Sequence, residues 1–184
     1  MYWQPIHTLA LEEPVTKLLL SIHVLVAILA VGSITVAASM FPRRALRAIG
    51  GEGPGVAALL HRVCRGYALA GIAVPVFGIA TGAQLGVLGD AWLIVSLVLT
   101  GIAAALLGLV ILPGQRKLLA LAEGGDAQRE GAEVVAGRDA QREGAEVVAR
   151  PAAARLAMLT GIFNLLWAVV VVLMIVRPGS TTGA

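Results

Sequence analysis

Four long runs of hydrophobic residues divide this chain. They extend over about 15–41, 66–88, 91–112 and 152–176. Each run has roughly twenty residues or more, enough for an α-helix to cross a hydrocarbon core about 30 Å thick at 1.5 Å per residue. The pattern therefore predicts an all-α, polytopic membrane protein: a four-transmembrane-helix bundle in which residues 1–184 form a single membrane domain.

Proline and glycine mark the predicted ends and bends of these helices. Pro42-Arg43-Arg44 is expected to end the first span, and Pro113-Gly114 the third. The second hydrophobic stretch begins near Ala57 and is too long for one crossing, so its first turns are predicted to form a cytoplasmic helical extension. In the middle of that span, Pro75 frees the carbonyl group of Gly71, which predicts a kink.

A tandem repeat occupies the cytoplasmic loop predicted between the third and fourth spans, residues 113–151. The sequence DAQREGAEVVA occurs at Asp126–Ala136 and again at Asp139–Ala149, an offset of thirteen residues. On a helix with 3.6 residues per turn this offset points the copies in different directions, which argues against a coiled coil. We interpret the repeat as a duplication that lengthens a solvated, at most weakly helical loop. Three glycines are expected to interrupt any helix there: Gly131, Gly137 and Gly144.

The distribution of basic residues predicts the orientation. Of fourteen Lys and Arg residues, only Lys17 and Arg177 fall on the side of the chain termini. The other twelve fall on the side of the two long connections: Arg43, Arg44, Arg47, Arg62, Arg65, Arg116, Lys117, Arg129, Arg138, Arg142, Arg150 and Arg155. Since lysine and arginine concentrate on the cytoplasmic side of membrane proteins, this asymmetry predicts a multi-pass protein with N-out, C-out topology.

Composition narrows the classes of function. The chain is 58% hydrophobic and 14% charged, with a mean hydropathy of +0.88, so the lipid bilayer is its expected partner. An isoelectric point of about 9.6 would suggest a nucleic-acid partner in a soluble protein, but here the basic residues orient the chain and no nucleic acid is expected. A single cysteine and the lack of nucleotide-binding, zinc-protease and serine-hydrolase motifs predict no catalytic residues and no enzyme activity.

Polar side chains inside the predicted spans are costly in lipid, and each requires an explanation. His23 lies about 12 Å below the outer end of the first span, Trp167 falls near the same depth, and Asn164 lies about one turn deeper. One interpretation makes His23 a ligand of haem b iron or of a metal, or a proton-handling group, with Asn164 and Trp167 beside it. The other makes it a neutral histidine bonded to another helix, with no cofactor. We favour the second, because the sequence offers no other histidine at that depth within the spans.

A second group of candidate ligands lies toward the cytoplasmic side. His61 and Cys64 are one helical turn apart, and Met40 and Met158 end their spans at a similar level. Imidazole, thiolate and thioether ligands together suit Cu(I). Arg62 and its basic neighbours suit an anionic lipid headgroup better than a copper ion, so we expect no tight copper site.

Small residues recur along the spans, as in the GxxxG pattern of Gly82 and Gly86. They predict close helix packing. This packing can occur within the single chain, in a homo-oligomer or with other membrane subunits, and the sequence does not distinguish these cases. No Asp or Glu lies inside a predicted span, which disfavours an ion-coupled transporter.

A resemblance to a known family rests on four stretches: LLLSIHVLVAILAVGSITVAASMFPR, HRVCRGYALAGIAVPVFGIATG, LGDAWLIVSLVLT and ARLAMLTGIFNLLWAVVVVLMIVRPGSTTGA. They resemble the actinobacterial predicted integral membrane proteins called domain of unknown function 2269, over nearly the whole chain except the repeat. The resemblance implies the four-helix fold and a bacterial cytoplasmic membrane, and it implies no assigned activity.

A more distant resemblance involves the helix with His23 and the following Arg-initiated helix that ends in Thr-Gly. They resemble copper-resistance D-type membrane proteins and haem-binding membrane protoporphyrinogen oxidases, which implies a ligand role for His23 alone. Those families have a tryptophan and a glycine after this histidine, whereas Ala30-Val31-Gly32 keeps only the glycine, and they use further histidines or helices. Copper transport and catalysis are therefore not expected here.

The sequence thus predicts an integral membrane protein without its own catalytic site, which acts as a structural or accessory subunit or as a small-ligand binder. The alternative is a haem- or copper-handling protein centred on His23 and linked to electron transfer. The two classes differ in an observable property, because a haem protein has a strong visible absorption spectrum and the other class is colourless.

Overall fold

The computed structural model describes residues 6–130 and 138–179, with side chains described over 14–125 and 142–179. Within these residues the chain is helical and contains no β-strand. In chain order the helices are α1 (Ile6–Arg47), α2 (Gly55–Ala70), α3 (Ala73–Gln84), α4 (Ala91–Ala105), α5 (Leu112–Glu130) and α6 (Arg138–Val176), with π-helical turns at Ala48–Glu52 and Leu106–Ile111. The expected all-α fold is confirmed.

Four stretches are long and apolar enough to cross a membrane: Pro14–Glu52, Gly55–Gln84, Ala91–Gly125 and Arg142–Val176. Helices α1 and α6 form one stretch each, whereas α2 with α3 and α4 with α5 form the two others. Helix α1 contacts α2, α3 and α6, and α4 contacts α6, so the spans form one bundle. The protein is a multi-pass membrane protein with a four-helix architecture.

The second span is kinked, as Pro75 predicts. Helix α2 ends at Ala70 and α3 begins at Ala73. Because Pro75 has no N–H to donate to the carbonyl oxygen of Gly71, that oxygen accepts instead from the backbone N–H of Val74, at 3.2 Å. Helix α3 ends at Gln84, earlier than the predicted end at 88.

The first helix does not end where expected. Pro42-Arg43-Arg44 was expected to stop it, yet α1 continues to Arg47. A proline inside a helix costs about 3 kcal/mol, and the burial of Pro42 itself and of Ala45 in the turn that follows offsets this cost. The chain turns instead at Gly51 and Gly53, whose φ angles of 120° and 84° favour glycine.

The third helix also passes its predicted end. Pro113-Gly114 lies inside α5, directly after the π-helical turn Leu106–Ile111. A π-helical turn shifts the backbone hydrogen bonds by one residue, which relieves the clash between a proline ring and the preceding turn. The prediction of a loop over 113–151 is therefore wrong for 113–130 and for 138–151, which are helical.

The second copy of the repeat is part of α6. Residues 139–149 continue without interruption into the fourth span, and Gly144 lies inside the helix although it was expected to break it. The helix is held by packing as well as by its Ala-, Arg- and Glu-rich sequence, since Ala149 is only 1% exposed. The interval 131–137, which contains Gly131 and Gly137, lies outside the described residues.

Packing is concentrated at one end of the bundle. We call the end near Arg43, Arg62 and Arg116 the basic end, and the end near Pro14 and Asp90 the terminal end. The main hydrophobic cluster contains buried side chains from all four spans: Ile34, Ala37, Ala38, Phe41, Ala45, Ala48, Ile49, Ala57, Cys64, Ala103, Leu107, Ile111, Leu112, Leu118, Ala122, Ala149, Ala153, Leu156 and Phe163. This cluster fills the basic half of the bundle and leaves the terminal half outside it.

Candidate functional site

His23 connects α1 to α3 in the terminal half. The side chain is 8% exposed, and its Nδ1 donates a hydrogen bond to the backbone carbonyl oxygen of Val74, at 2.9 Å. Gly78, one turn further along α3, makes room for the ring, because a Cβ atom there would lie 3.1 Å from Cε1 of His23. The interpretation of His23 as a histidine bonded to another helix therefore matches the observed geometry.

The bond to Val74 also determines the chemistry of the other ring nitrogen. A carbonyl oxygen can only accept, so Nδ1 of His23 must bear the hydrogen. In a neutral ring of this tautomer, Nε2 carries a lone pair. Within residues 14–125 and 142–179, Nε2 has no hydrogen-bond partner.

Two adjoining cavities of about 340 and 400 Å³ open beside His23. Both are lined by residues from α1, α3, α4 and α6, of which Ala27, Gly78, Leu93 and Met174 are examples. The lining is almost entirely apolar in both cases. Volumes of this size match those of small-molecule sites, so the terminal half of the bundle contains space that side chains do not fill.

The deeper cavity is also lined by an aromatic residue that has a buried polar atom. Trp167 of α6 lines it together with His23. The indole Nε1–H of Trp167 is buried and has no hydrogen-bond partner among the described residues. Thr100, also in the lining, donates its hydroxyl to the carbonyl oxygen of Ser96 at 2.8 Å and so is already paired. Because Nε1 of Trp167 is itself buried, it is not exposed in the cavity, and His23 supplies the unpaired acceptor there.

The shallower cavity reaches the terminal end of the bundle, where polar groups return. Trp92 and Arg177 line it, and the guanidinium group of Arg177 lies 5.6 Å from the centre of the Trp92 ring. The indole N–H of Trp92 donates to Oδ2 of Asp90 at 2.9 Å. This aromatic and charged rim is typical of the level of lipid headgroups.

Asn164 lies apart from the cavities, although the sequence grouped it with His23 and Trp167. Its Nδ2 donates to Oγ of Ser39 on α1 at 3.3 Å, while its Oδ1 is buried without a partner among the described residues. The structure therefore brings His23 and Trp167 to one cavity and leaves Asn164 at the contact between α1 and α6. Sequence reasoning missed Gly78, whose role depends on the ring opposite it.

At the basic end, His61 and Cys64 are buried and are joined through Gln115 of α5. Nδ1 of His61 donates to Oε1 of Gln115 at 2.9 Å, and Nε2 of Gln115 donates to the sulfur of Cys64 at 3.5 Å. Phe41 packs edge-on against the imidazole ring. No sequence pattern marks Gln115, which lies just after the proline expected to end its helix.

The two methionines among the candidate Cu(I) ligands are not part of this cluster. Met40 and Met158 are 43% and 59% exposed, on the outer surface of the bundle, whereas His61 and Cys64 are 7% and 0% exposed. Nδ1 of His61 is occupied by its bond to Gln115. That these four residues form no tight copper site stays a prediction, and the separation of the methionines from the cluster agrees with it.

The polar side chains that line the terminal cavities are few. The two linings hold no carboxylate, and besides the thioether of Met174 their polar side chains are His23, Thr81, Trp92, Thr100, Trp167 and Arg177. Such a set can orient a ligand by hydrogen bonding or offer a ligand to a metal ion. In comparisons with known proteins, no family model, no curated protein and no solved structure matches this chain.

Proposed function

We propose that the protein is an integral protein of the bacterial cytoplasmic membrane that binds a small, largely apolar ligand and has no catalytic site of its own. The observation that carries the proposal is the pair of adjoining cavities beside His23, lined by all four spans. A bundle with a purely structural role gains stability by filling such space, because interiors pack to high density and voids cost free energy. The unfilled half therefore favours a binder over a structural subunit.

The proposed orientation is N-out and C-out. It is supported by the twelve basic residues on the side of the long connections, against two on the side of the chain termini. In this orientation the cavities lie in the outer half of the membrane. A cytoplasm-active reporter fused after Ala184 should give no signal, whereas the same reporter inserted near Gly125 should be active. The reverse pattern would overturn the orientation and would place the cavities in the inner half.

Ligand retention tests the proposed function. Ala27 lines both cavities, so Ala27→Phe should fill part of the space and exclude the ligand. Leu29→Phe is the matched control, because Leu29 is 60% exposed and does not line either cavity. Native mass spectrometry of protein released gently from its own membranes should detect a bound small molecule in the wild type and in Leu29→Phe but not in Ala27→Phe. Equal occupancy in all three would contradict the proposal.

A second candidate function is haem handling at His23, and one observation favours it. Ligand histidines of metal centres typically donate their second N–H to a carbonyl or carboxylate, as Nδ1 of His23 does to Val74. Met174 lines the same cavities and offers a thioether, so the donor types present suit a haem iron. When bound, haem would supply electron-transfer chemistry, while His23 would hold the iron at Nε2.

The visible absorption spectrum separates the two candidates. The apolar-ligand proposal predicts a colourless purified protein. A Soret band that disappears in His23→Ala and persists in Leu29→Phe would instead establish haem binding at this position.

A further inference from the structure

The shallower cavity is open on one side, between α1 and α6. Side chains of both helices line the cavity and also face outward, with exposed fractions between 40% and 76%: Leu20, Val24 and Ile28 of α1, and Val171 and Ile175 of α6. All of them are aliphatic, and lipid tails are as apolar as such side chains. A molecule in the bilayer can therefore enter the cavity from the side without leaving the hydrocarbon.

The rim of this opening carries a cation. Arg177 lines the cavity directly after α6, and its guanidinium group lies over the ring of Trp92, 5.6 Å from the centre. Its Nε donates to the carbonyl oxygen of Met174 at 3.4 Å. In the part of the chain whose side chains are described, no carboxylate oxygen lies within 4 Å of this guanidinium group. Asp90 accepts the indole N–H of Trp92 and does not line the cavity, so the two terminal amino groups of Arg177 face no anion of the protein there.

The backbone of Arg177 is in a conformation that glycine usually adopts. Its φ angle is 44°, in the left-handed region that is unfavourable for residues with a Cβ atom. Helices often end with a residue in this region, and that residue is most often glycine. Strained residues of this kind concentrate at functional sites. An arginine in place of a glycine favours a use for its side chain at the rim.

We propose that the cavities hold one acyl chain of an anionic phospholipid, whose phosphate group binds Arg177. This inference rests on the proposed function and names the ligand of the same cavities. The chain enters between α1 and α6, while the second chain of the lipid stays in the bilayer outside the opening. The apolar lining surrounds the chain, and the guanidinium group forms charge-assisted hydrogen bonds with the phosphate oxygens.

The depth of the cavities matches an acyl chain. Both cavities are lined by Val171 and Met174, so they adjoin along α6. The deeper cavity reaches Trp167, and from Trp167 to Arg177 the chain rises about 15 Å at 1.5 Å per residue. This is half of a hydrocarbon core about 30 Å thick, which is the depth that the chains of one leaflet occupy. A chain whose headgroup lies at Arg177 can therefore extend through both cavities.

Other lipids fit these features less well. A neutral lipid leaves the guanidinium group of Arg177 without an anion. A free fatty acid offers a carboxylate to Arg177, but its single chain does not require a side opening. The opening extends from Leu20 to Ile28 along α1, a rise of about 12 Å. A long opening toward the bilayer suits a lipid that places only one of its two chains inside the protein.

Displacement of an apolar probe from the cavities tests the inference on the full chain in detergent. The probe is isotope-labelled decylbenzene, which has no headgroup. The competitors are phosphatidylglycerol and phosphatidylcholine with identical acyl chains, so that they differ in net charge and not in their chains. A lipid that binds elsewhere, such as at the basic end, does not displace the probe. The proteins are the wild type, Arg177→Gln, Arg177→Lys and the control Arg43→Gln, at an exposed arginine of the basic end.

Phosphatidylglycerol should displace half of the probe at a roughly five-fold lower concentration than phosphatidylcholine, as expected for the contribution of one basic residue. This difference should be the same in Arg43→Gln and should disappear in Arg177→Gln. Arg177→Lys should keep most of it, because the ammonium group retains the charge. The affinity for decylbenzene itself should be equal in all four proteins, which shows that the cavities are intact.

The outcomes separate the inference from the proposed function. If decylbenzene binds and neither phospholipid displaces it, the apolar-ligand function stands and the inference is wrong. Displacement by oleate alone would identify a single-chain ligand and would also contradict the inference. Equal displacement by the two phospholipids, or a difference that persists in Arg177→Gln, would overturn the role of Arg177 and with it the inference. If decylbenzene does not bind the wild type, the proposed function and the inference are both wrong.

Discussion

The buried histidines at the two ends of the bundle have different surroundings. At the basic end, His61, Gln115 and Cys64 bond to one another in the packed core. At the terminal end, His23 lines unfilled space, and its Nε2 has no partner among the described residues. The comparison indicates that a polar cluster closed within the protein serves helix packing, whereas one left open toward a cavity is available to a ligand.

The largest expected effect is at the basic end, in the second copy of the repeat. Ala149 is 1% exposed in the core, so Ala149→Glu places an unpaired carboxylate there and should lower the free energy of unfolding by about 3 kcal/mol or more. Val148→Glu is the matched control, because Val148 is 75% exposed. Thermal unfolding in detergent measures both. Equal stability of the two variants would show that the repeat does not pack against the bundle.

The closed polar cluster gives the next largest effect. Gln115→Ala removes the acceptor of His61 and the donor to Cys64, which should cost about 1–3 kcal/mol of unfolding free energy. Lys117→Ala, at an exposed position of the same helix, should change stability by less than about 0.5 kcal/mol. Ligand binding at the terminal end should be unaffected by either change. Loss of binding in Gln115→Ala would show that the two halves are coupled.

The smallest effect on stability is expected at the open site. Gly78→Ala places a methyl group 3.1 Å from Cε1 of His23, which should displace the ring and break its hydrogen bond to Val74. The loss should be small, because intramembrane hydrogen bonds average about 0.6 kcal/mol. At Gly101, where a Cβ atom meets no neighbour within 4 Å, alanine should be neutral or slightly stabilising. Stability should therefore differ by about 1 kcal/mol between the variants, measured by chemical unfolding. Identical stabilities would show that His23 adapts without loss.

The spans and the kink could be predicted because they depend on local properties. Twenty apolar residues have few alternatives to a membrane helix, and Pro75 removes a hydrogen bond wherever it stands in a helix. The helix ends could not be predicted equally well. Pro42 and Pro113 are locally unfavourable in a helix, and tertiary packing at the basic end outweighs that preference.

The candidate site was predictable only in part, for a related reason. The cost of a histidine in lipid drew attention to His23, and depth along the helices suggested Trp167. The acceptor of His23 is a backbone carbonyl group, and every residue has one, so no sequence pattern marks Val74. A cavity is likewise a property of the space between helices, which depends on their crossing and not on any single residue.

The central claim is that the terminal half of the bundle binds an apolar molecule in space that the protein leaves unfilled. The most direct measurement is the thermal stability of the purified protein with and without saturating decylbenzene. A ligand at about 100 times its dissociation constant stabilises the state that binds it by about 2.7 kcal/mol. We expect a clear rise in Tm for the wild type and for Leu29→Phe, and no rise for Ala27→Phe. An equal rise in all three proteins, or no rise in any of them, would contradict it.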